Sequence, residues 1–187
     1  MLFRSLRGMN RGEAFPGVVL VGFMGSGKSS VGRALARRFG APFVDVDEWI
    51  ESAAGCRIRD LFARDGEPAF REREKAALRD VLSVKGCVIA TGGGAFADEE
   101  NRELLRSYAP VIYLEAAVET LLERLAGGLG RPLLHGGDRE EVVRELLSRR
   151  VPGYRTADVT VRTDGRTVEE VAGQVADWID RTEGRAG

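Results

Sequence analysis

The chain has one histidine, two cysteines and three lysines among 187 residues, and its formal net charge is −1. Each scarcity closes off a class of function. His135 has no partner nearby in sequence and reads as an exposed loop residue, neither ligand nor base. Cys56 and Cys87 lack C-x-x-C spacing, and a chain of this length needs no covalent staple, so both are expected to be reduced. A near-neutral chain with a pI of about 6.0 sets up no global field to gather nucleic acid or acidic lipid. Neither is expected as a partner, and any anion has to be caught by a local site. No apolar run approaches the length of a membrane span. Residues 1–17 carry Arg4, Arg7 and Arg11 without the apolar stretch of a signal peptide. They are expected to be a disordered N-terminal extension, with a transit peptide as the alternative, and the protein is expected to be cytoplasmic and monomeric.

What is present is a chain with 43% hydrophobic and 30% charged residues, enough for one α/β domain with a full core and too short for two ordinary ones. That domain is expected over residues 18–182. Short apolar runs alternate with amphipathic helical patterns, which predicts a three-layer αβα arrangement around a mostly parallel sheet. Strands are predicted at Val18–Val21, Phe43–Asp45, Cys87–Ala90, Val111–Leu114 and Val159–Val161, each feeding a helix. In sheets of this kind ligands gather at the carboxyl ends of the strands, so the residues just after each strand carry the most information.

After the first strand, Gly22-Phe23-Met24-Gly25-Ser26-Gly27-Lys28-Ser29 fits G-x-x-x-x-G-K-[ST]. Such a turn aims backbone N–H groups at a phosphate, and the helix that follows adds the positive end of its dipole. Lys28 is expected to reach the β- and γ-phosphates, and the Ser29 hydroxyl to ligate Mg²⁺. With lysine this rare beside twenty-five arginines, a lysine here is not compositional noise. After the second strand, Asp45 and Asp47 stand two apart, projecting to one side of an extended segment. Asp45 is suited to the metal and Asp47 to the hydroxyl that attacks the γ-phosphate, the plainer job for Asp47 being the N-cap of the next helix. Ile58 to Leu82 reads as a helical insertion with a turn at Asp65-Gly66-Glu67-Pro68. Within it the charge-dense Phe70–Glu74 stretch is, taken alone, a solvated helix face. Gly92-Gly93-Gly94 after the third strand permits a close approach of backbone to ligand. Residues 127–138 hold five glycines around Arg131, the composition of a mobile lid that closes over phosphates. The helix beginning near Arg139 is expected to end at Pro152, where Arg149 and Arg150 also suit a helix C-terminus.

Gly22–Ser29, Asp45-Val46-Asp47, Phe70-Arg71 with Glu74, Gly92-Gly93-Gly94, and Arg131-Pro132-Leu133-Leu134 with Arg150-Val151-Pro152-Gly153-Tyr154 stand in one order. Together they resemble the shikimate kinase family of small P-loop kinases over about Val18 to Trp178. The resemblance implies a five-stranded parallel sheet in the order 2-3-1-4-5, a substrate-binding insertion over about 47–82 and a lid over about 127–138. It implies ATP and Mg²⁺, with Gly25, Ser26, Gly27, Lys28, Ser29 and Ser30 on the phosphates and Ser29 and Asp45 on the metal side. Arg124 and Arg166 fall to the adenine side, and Arg131 to the lid. Asp47, Arg71, Arg150, Gly92, Gly93 and Gly94 fall to shikimate, which is phosphorylated on its 3-hydroxyl, and Lys28, Asp47 and Arg131 to catalysis. The competing readings are another small-molecule P-loop kinase, of gluconate or nucleotide type, and a slow NTP-binding switch. The first has no need of two carboxylate-clamping arginines, and no N-K-x-D segment supports the second.

Overall fold

The computed structural model describes residues 15–126 and 139–183. Strand β1 (Val18–Val21) is apolar throughout and buried at every position. Burial on both faces is what a continuous apolar strand at the centre of a parallel sheet requires. The sheet is five-stranded and parallel throughout, in the order β2-β3-β1-β4-β5. Its other strands are β2 (Phe43–Asp45), β3 (Val88–Ala90), β4 (Val111–Glu115) and β5 (Val159–Arg162).

Alternation along β1 divides the core in two. Val18 and Leu20 face helices α1 (Lys28–Phe39) and α7 (Val168–Glu183), packing with Leu35, Val171 and Val175. Val19 and Val21 face the other layer, where Leu61, Leu78, Phe96, Leu105 and Leu121 gather. That layer holds α2 (Val46–Ala54), α3 (Ile58–Leu82), α4 (Glu99–Tyr108), α5 (Val118–Ala126) and α6 (Arg139–Tyr154). Phe15 stacks on Phe39 with ring centroids 4.5 Å apart, so residues 15–17 join the packed structure, while residues 1–14 of the expected extension lie outside the described residues. Among the described residues no helix is long and apolar enough to cross a membrane.

Two local features differ from the expectations in instructive ways. α3 bends at Gly66, whose φ of 79° and ψ of 171° belong to glycine alone, and Pro68 opens the second half of the helix. The expected turn is therefore a kink inside one long element. α6, in contrast, passes through Pro152 and ends at Tyr154. Proline removes one ladder donor, but the bonds resume at once, with Arg155 N–H donating to Val151 O at 2.9 Å. Tyr154 is fully buried, and that packing outweighs the lost bond.

Candidate active site

The turn after β1 closes onto α1 through Gly27, whose φ of 98° places it in the left-handed region and leaves the helix N-terminus without a side-chain cap. Its first N–H groups are thus open to an anion. Lys28 is nine-tenths buried and folds back over its own loop, donating to Gly22 O and Phe23 O at 2.9 Å each. The Ser26 hydroxyl is buried and has no hydrogen-bond partner among the described residues. A buried orphan hydroxyl inside a ring of N–H donors is the kind of group a phosphate oxygen would satisfy.

Asp45 ends β2 and caps α2. Its Oδ1 accepts from Asp47 N–H at 3.0 Å, and its Oδ2 accepts from the Ser29 hydroxyl at 2.5 Å. The capping job considered for Asp47 therefore belongs to Asp45. Asp47 sits in the first turn of α2, so the two carboxylates straddle a strand-to-helix junction and do not share an extended face. They still converge on one place.

Two cavities meet there. The first, about 580 Å³, runs from Asp45 and Asp47 past Phe70, Arg71, Glu74, the Gly92–Gly94 turn and Arg150. The second, about 530 Å³, runs over Gly25, Ser26, Gly27, Lys28 and Ser30 to Arg124, Thr163, Arg166 and Val168. Met24, Ser29, Asp45, Asp47 and Gly93 line both.

One wall of the first cavity carries Arg71 and Arg150. Arg71 Nη1 donates to Glu74 Oε2 at 2.8 Å and Nη2 to Glu67 Oε1 at 2.8 Å. Glu72 and Arg73 face solvent, so the solvated-face reading holds for half of this stretch and fails for Arg71 and Glu74. Glu74 is 1% exposed; burial pushes its carboxyl above its ordinary value, and the charges of Arg71 and Arg150 oppose that shift. On α6, Arg149 turns outward to Glu145 at 2.5 Å, whereas Arg150 is buried with its guanidinium 5.5 Å from the Phe23 ring centroid. Of the paired arginines expected at this helix end, only Arg150 joins the site. The glycine turn lets side chains close in on the backbone: a Cβ on Gly92 would stand 2.7 Å from Asp47 Oδ1, and one on Gly94 2.7 Å from Arg71 Nη1.

In the second cavity Arg124 is pinned flat across the far end. It donates from Nη1 to Thr163 Oγ1 at 3.0 Å and to Gly25 O at 3.3 Å, and from Nη2 to Thr163 O at 2.9 Å. Arg166 lines the same end, held by Arg162 O at 3.2 Å and Gln174 Oε1 at 2.5 Å. Arg131, His135 and the rest of the expected lid lie outside the described residues. Two residues given no role in the sequence reading line the cavities, Glu74 the first and Thr163 the second. Glu74 had a signal in its i,i+3 spacing from Arg71. Thr163 had none.

A family model described as shikimate kinase matches residues 24–180. A shikimate kinase of Chromohalobacter salexigens is 44% identical over 164 residues, covering 87% of this chain and 91% of that relative. One from Geobacter sulfurreducens is 44% identical over 162 residues, covering 87% and 90%. The solved structure of shikimate kinase from Acinetobacter baumannii in complex with shikimate superposes with a TM-score of 0.88 at 39% identity, covering 91% of this chain and 96% of that one.

Proposed function

The chain belongs to the shikimate kinase family and phosphorylates shikimate at the expense of ATP, and from that premise we propose how its residues divide the work. The observation that carries the division is the junction of the two cavities at Ser29, Asp45, Asp47 and Gly93. ATP occupies the cavity over the P-loop, with its phosphates on the N–H groups of Gly25–Ser30, the Ser26 hydroxyl and Lys28. To reach them the Lys28 ammonium exchanges its bonds to Gly22 O and Phe23 O for phosphate oxygens. The adenine lies against Arg124 and Arg166, whose guanidinium planes suit a purine face.

Shikimate occupies the other cavity. Arg71 and Arg150 clamp its carboxylate, since a guanidinium fork matches two carboxylate oxygens. Gly92, Gly93 and Gly94 let its ring approach the backbone, and Asp47 receives the 3-hydroxyl. The hydroxyl oxygen attacks the γ-phosphorus, the bond from that phosphorus to ADP breaks, and the hydroxyl proton passes to Asp47. The transition state is loose, so most of the benefit comes from placing the oxygen in line and little from base strength.

Ser29 Oγ and Asp45 Oδ2, hard oxygens side by side at the junction, suit Mg²⁺. Bound there, the ion would neutralise charge on the phosphates. Arg131 approaches from the lid, residues 127–138, and residues 18–182 act as one kinase unit with the insertion over about 47–82. We place the enzyme in the cytoplasm as a monomer that engages no nucleic acid; its net charge of −1 supports the last point. The test is ADP release over a panel of hydroxylated acids, with Asp47→Asn beside the wild type. Turnover should require shikimate, and the variant should lose orders of magnitude in kcat with little change in ATP affinity. ATP turnover indifferent to shikimate, or near-normal turnover by Asp47→Asn, would refute the assignment.

A further inference from the structure

Tyr154 takes no part in the division of labour above, yet it is fully buried and its hydroxyl donates to Gly93 O, at the junction of the two cavities. Its ring stacks on Tyr113 with centroids 5.0 Å apart. Burial raises its phenol well above the ordinary value, so it stays a donor. The neighbouring carbonyls of the glycine turn are held by local backbone, Gly92 O by Ala95 N–H at 3.2 Å and Gly94 O by Ala97 N–H at 3.1 Å. Gly93 O is the one held from another element. The peptide unit is planar and trans, so directing Gly93 C=O toward α6 also fixes Gly94 N–H pointing away from it.

Arg150 lies four residues before Tyr154 and so on the same face of α6. Its Nη1 is 3.5 Å from where a Cβ on Gly93 would stand. The same helix end is pressed tightly against the segment after the turn, with a Cβ on Gly153 only 3.1 Å from Phe96 O. The last turn of α6 thus reaches Gly93 through the Tyr154 hydroxyl, with the Arg150 guanidinium close beside it.

We propose that Tyr154 is a positioning residue for shikimate: its hydroxyl sets the register of α6 on the Gly92–Gly94 turn, so that Arg150 and the turn are already aligned before the substrate arrives. The inference rests on the reading of Arg150 as a carboxylate clamp. Preorganisation of this kind appears as affinity, because an untethered turn has to be ordered at the moment of binding. A tenfold loss in a binding constant corresponds to about 1.4 kcal/mol.

The experiment is equilibrium titration of shikimate and, separately, of ATP to wild type, Tyr154→Phe, Arg150→Ala and the double variant, with Tm measured on each. Tyr154→Phe keeps the ring and its stacking on Tyr113. It should weaken shikimate roughly tenfold and ATP less than twofold. In the Arg150→Ala background the same change should have much less effect, because a residue that acts through Arg150 is coupled to it. Unchanged shikimate affinity in Tyr154→Phe beside a weakened Arg150→Ala overturns the positioning role and leaves the clamp standing. Parallel loss of both ligands together with Tm makes Tyr154 a general stabilising residue and also overturns it. If neither single change weakens shikimate, the clamp itself is wrong and this inference falls with it.

Discussion

A single methyl group added at Gly92 probes the junction of the two cavities. Gly92 does not occupy the left-handed region, so alanine meets no backbone penalty there, and the whole effect of Gly92→Ala is steric. The new Cβ would stand 2.7 Å from Asp47 Oδ1 and 2.8 Å from Glu74 Oε1, where ordinary contact begins at 3.4 Å. Both carboxylates lie inside that limit, and each has to retreat by more than half an ångström. Glu74 is buried and tied to Arg71 at 2.8 Å, so the methyl strains that pair, and it also turns the half-buried Asp47 carboxylate away from the junction. Displacement of an aligned catalytic group by about 1 Å costs up to ~100-fold in rate. Overpacking costs about 1–3 kcal/mol of stability, or a Tm lower by roughly 2–4 °C for each kcal/mol in a chain of this size. The assay is kcat at saturating shikimate and ATP, with ATP affinity titrated directly. The expected result is a kcat lower by about 10- to 100-fold with ATP binding unchanged. Gly94→Ala is the control, because its Cβ meets the Arg71 guanidinium and not Asp47. It should raise KM for shikimate more than it lowers kcat. A Gly92→Ala enzyme with wild-type kcat, or the same kinetic pattern from both variants, would refute this account of the turn.

Two further outcomes are expected. Arg71→Lys should weaken shikimate binding and spare ATP, because an ammonium cannot present two parallel donors to a carboxylate; equilibrium titration giving the reverse order would move the clamp elsewhere. Arg131→Ala should lower kcat and kcat/KM by similar factors, with ATP dissociation shifted much less, since a lid cation acts on charge that develops as the bond to ADP loosens. A pure KM effect in steady-state kinetics would make Arg131 a nucleotide-holding residue only.

Much of the fold and part of the site are written locally in the sequence. The all-apolar run of β1 determines a central buried strand, because only a strand covered on both faces buries every side chain. The glycines around Lys28 determine a phosphate turn, because left-handed positions and open N–H groups follow from residue type alone. Gly66 and Pro68 announce the break in α3 for the same reason. Tertiary packing decided what those signals leave open, namely which way a side chain turns and what lies against it. Arg149 and Arg150 are adjacent and alike, yet one faces solvent and the other the first cavity, a choice set by how α6 docks. The i,i+3 spacing of Glu74 from Arg71 allows the pair, but only the packing of α3 buries it. Tyr154 and Gly93 lie 61 residues apart, and Arg124 and Thr163 lie 39 apart. Periodicity and spacing carry no information across such distances. Those contacts exist because five parallel strands bring their carboxyl ends to one edge, where residues remote in the chain must satisfy one another's hydrogen bonds.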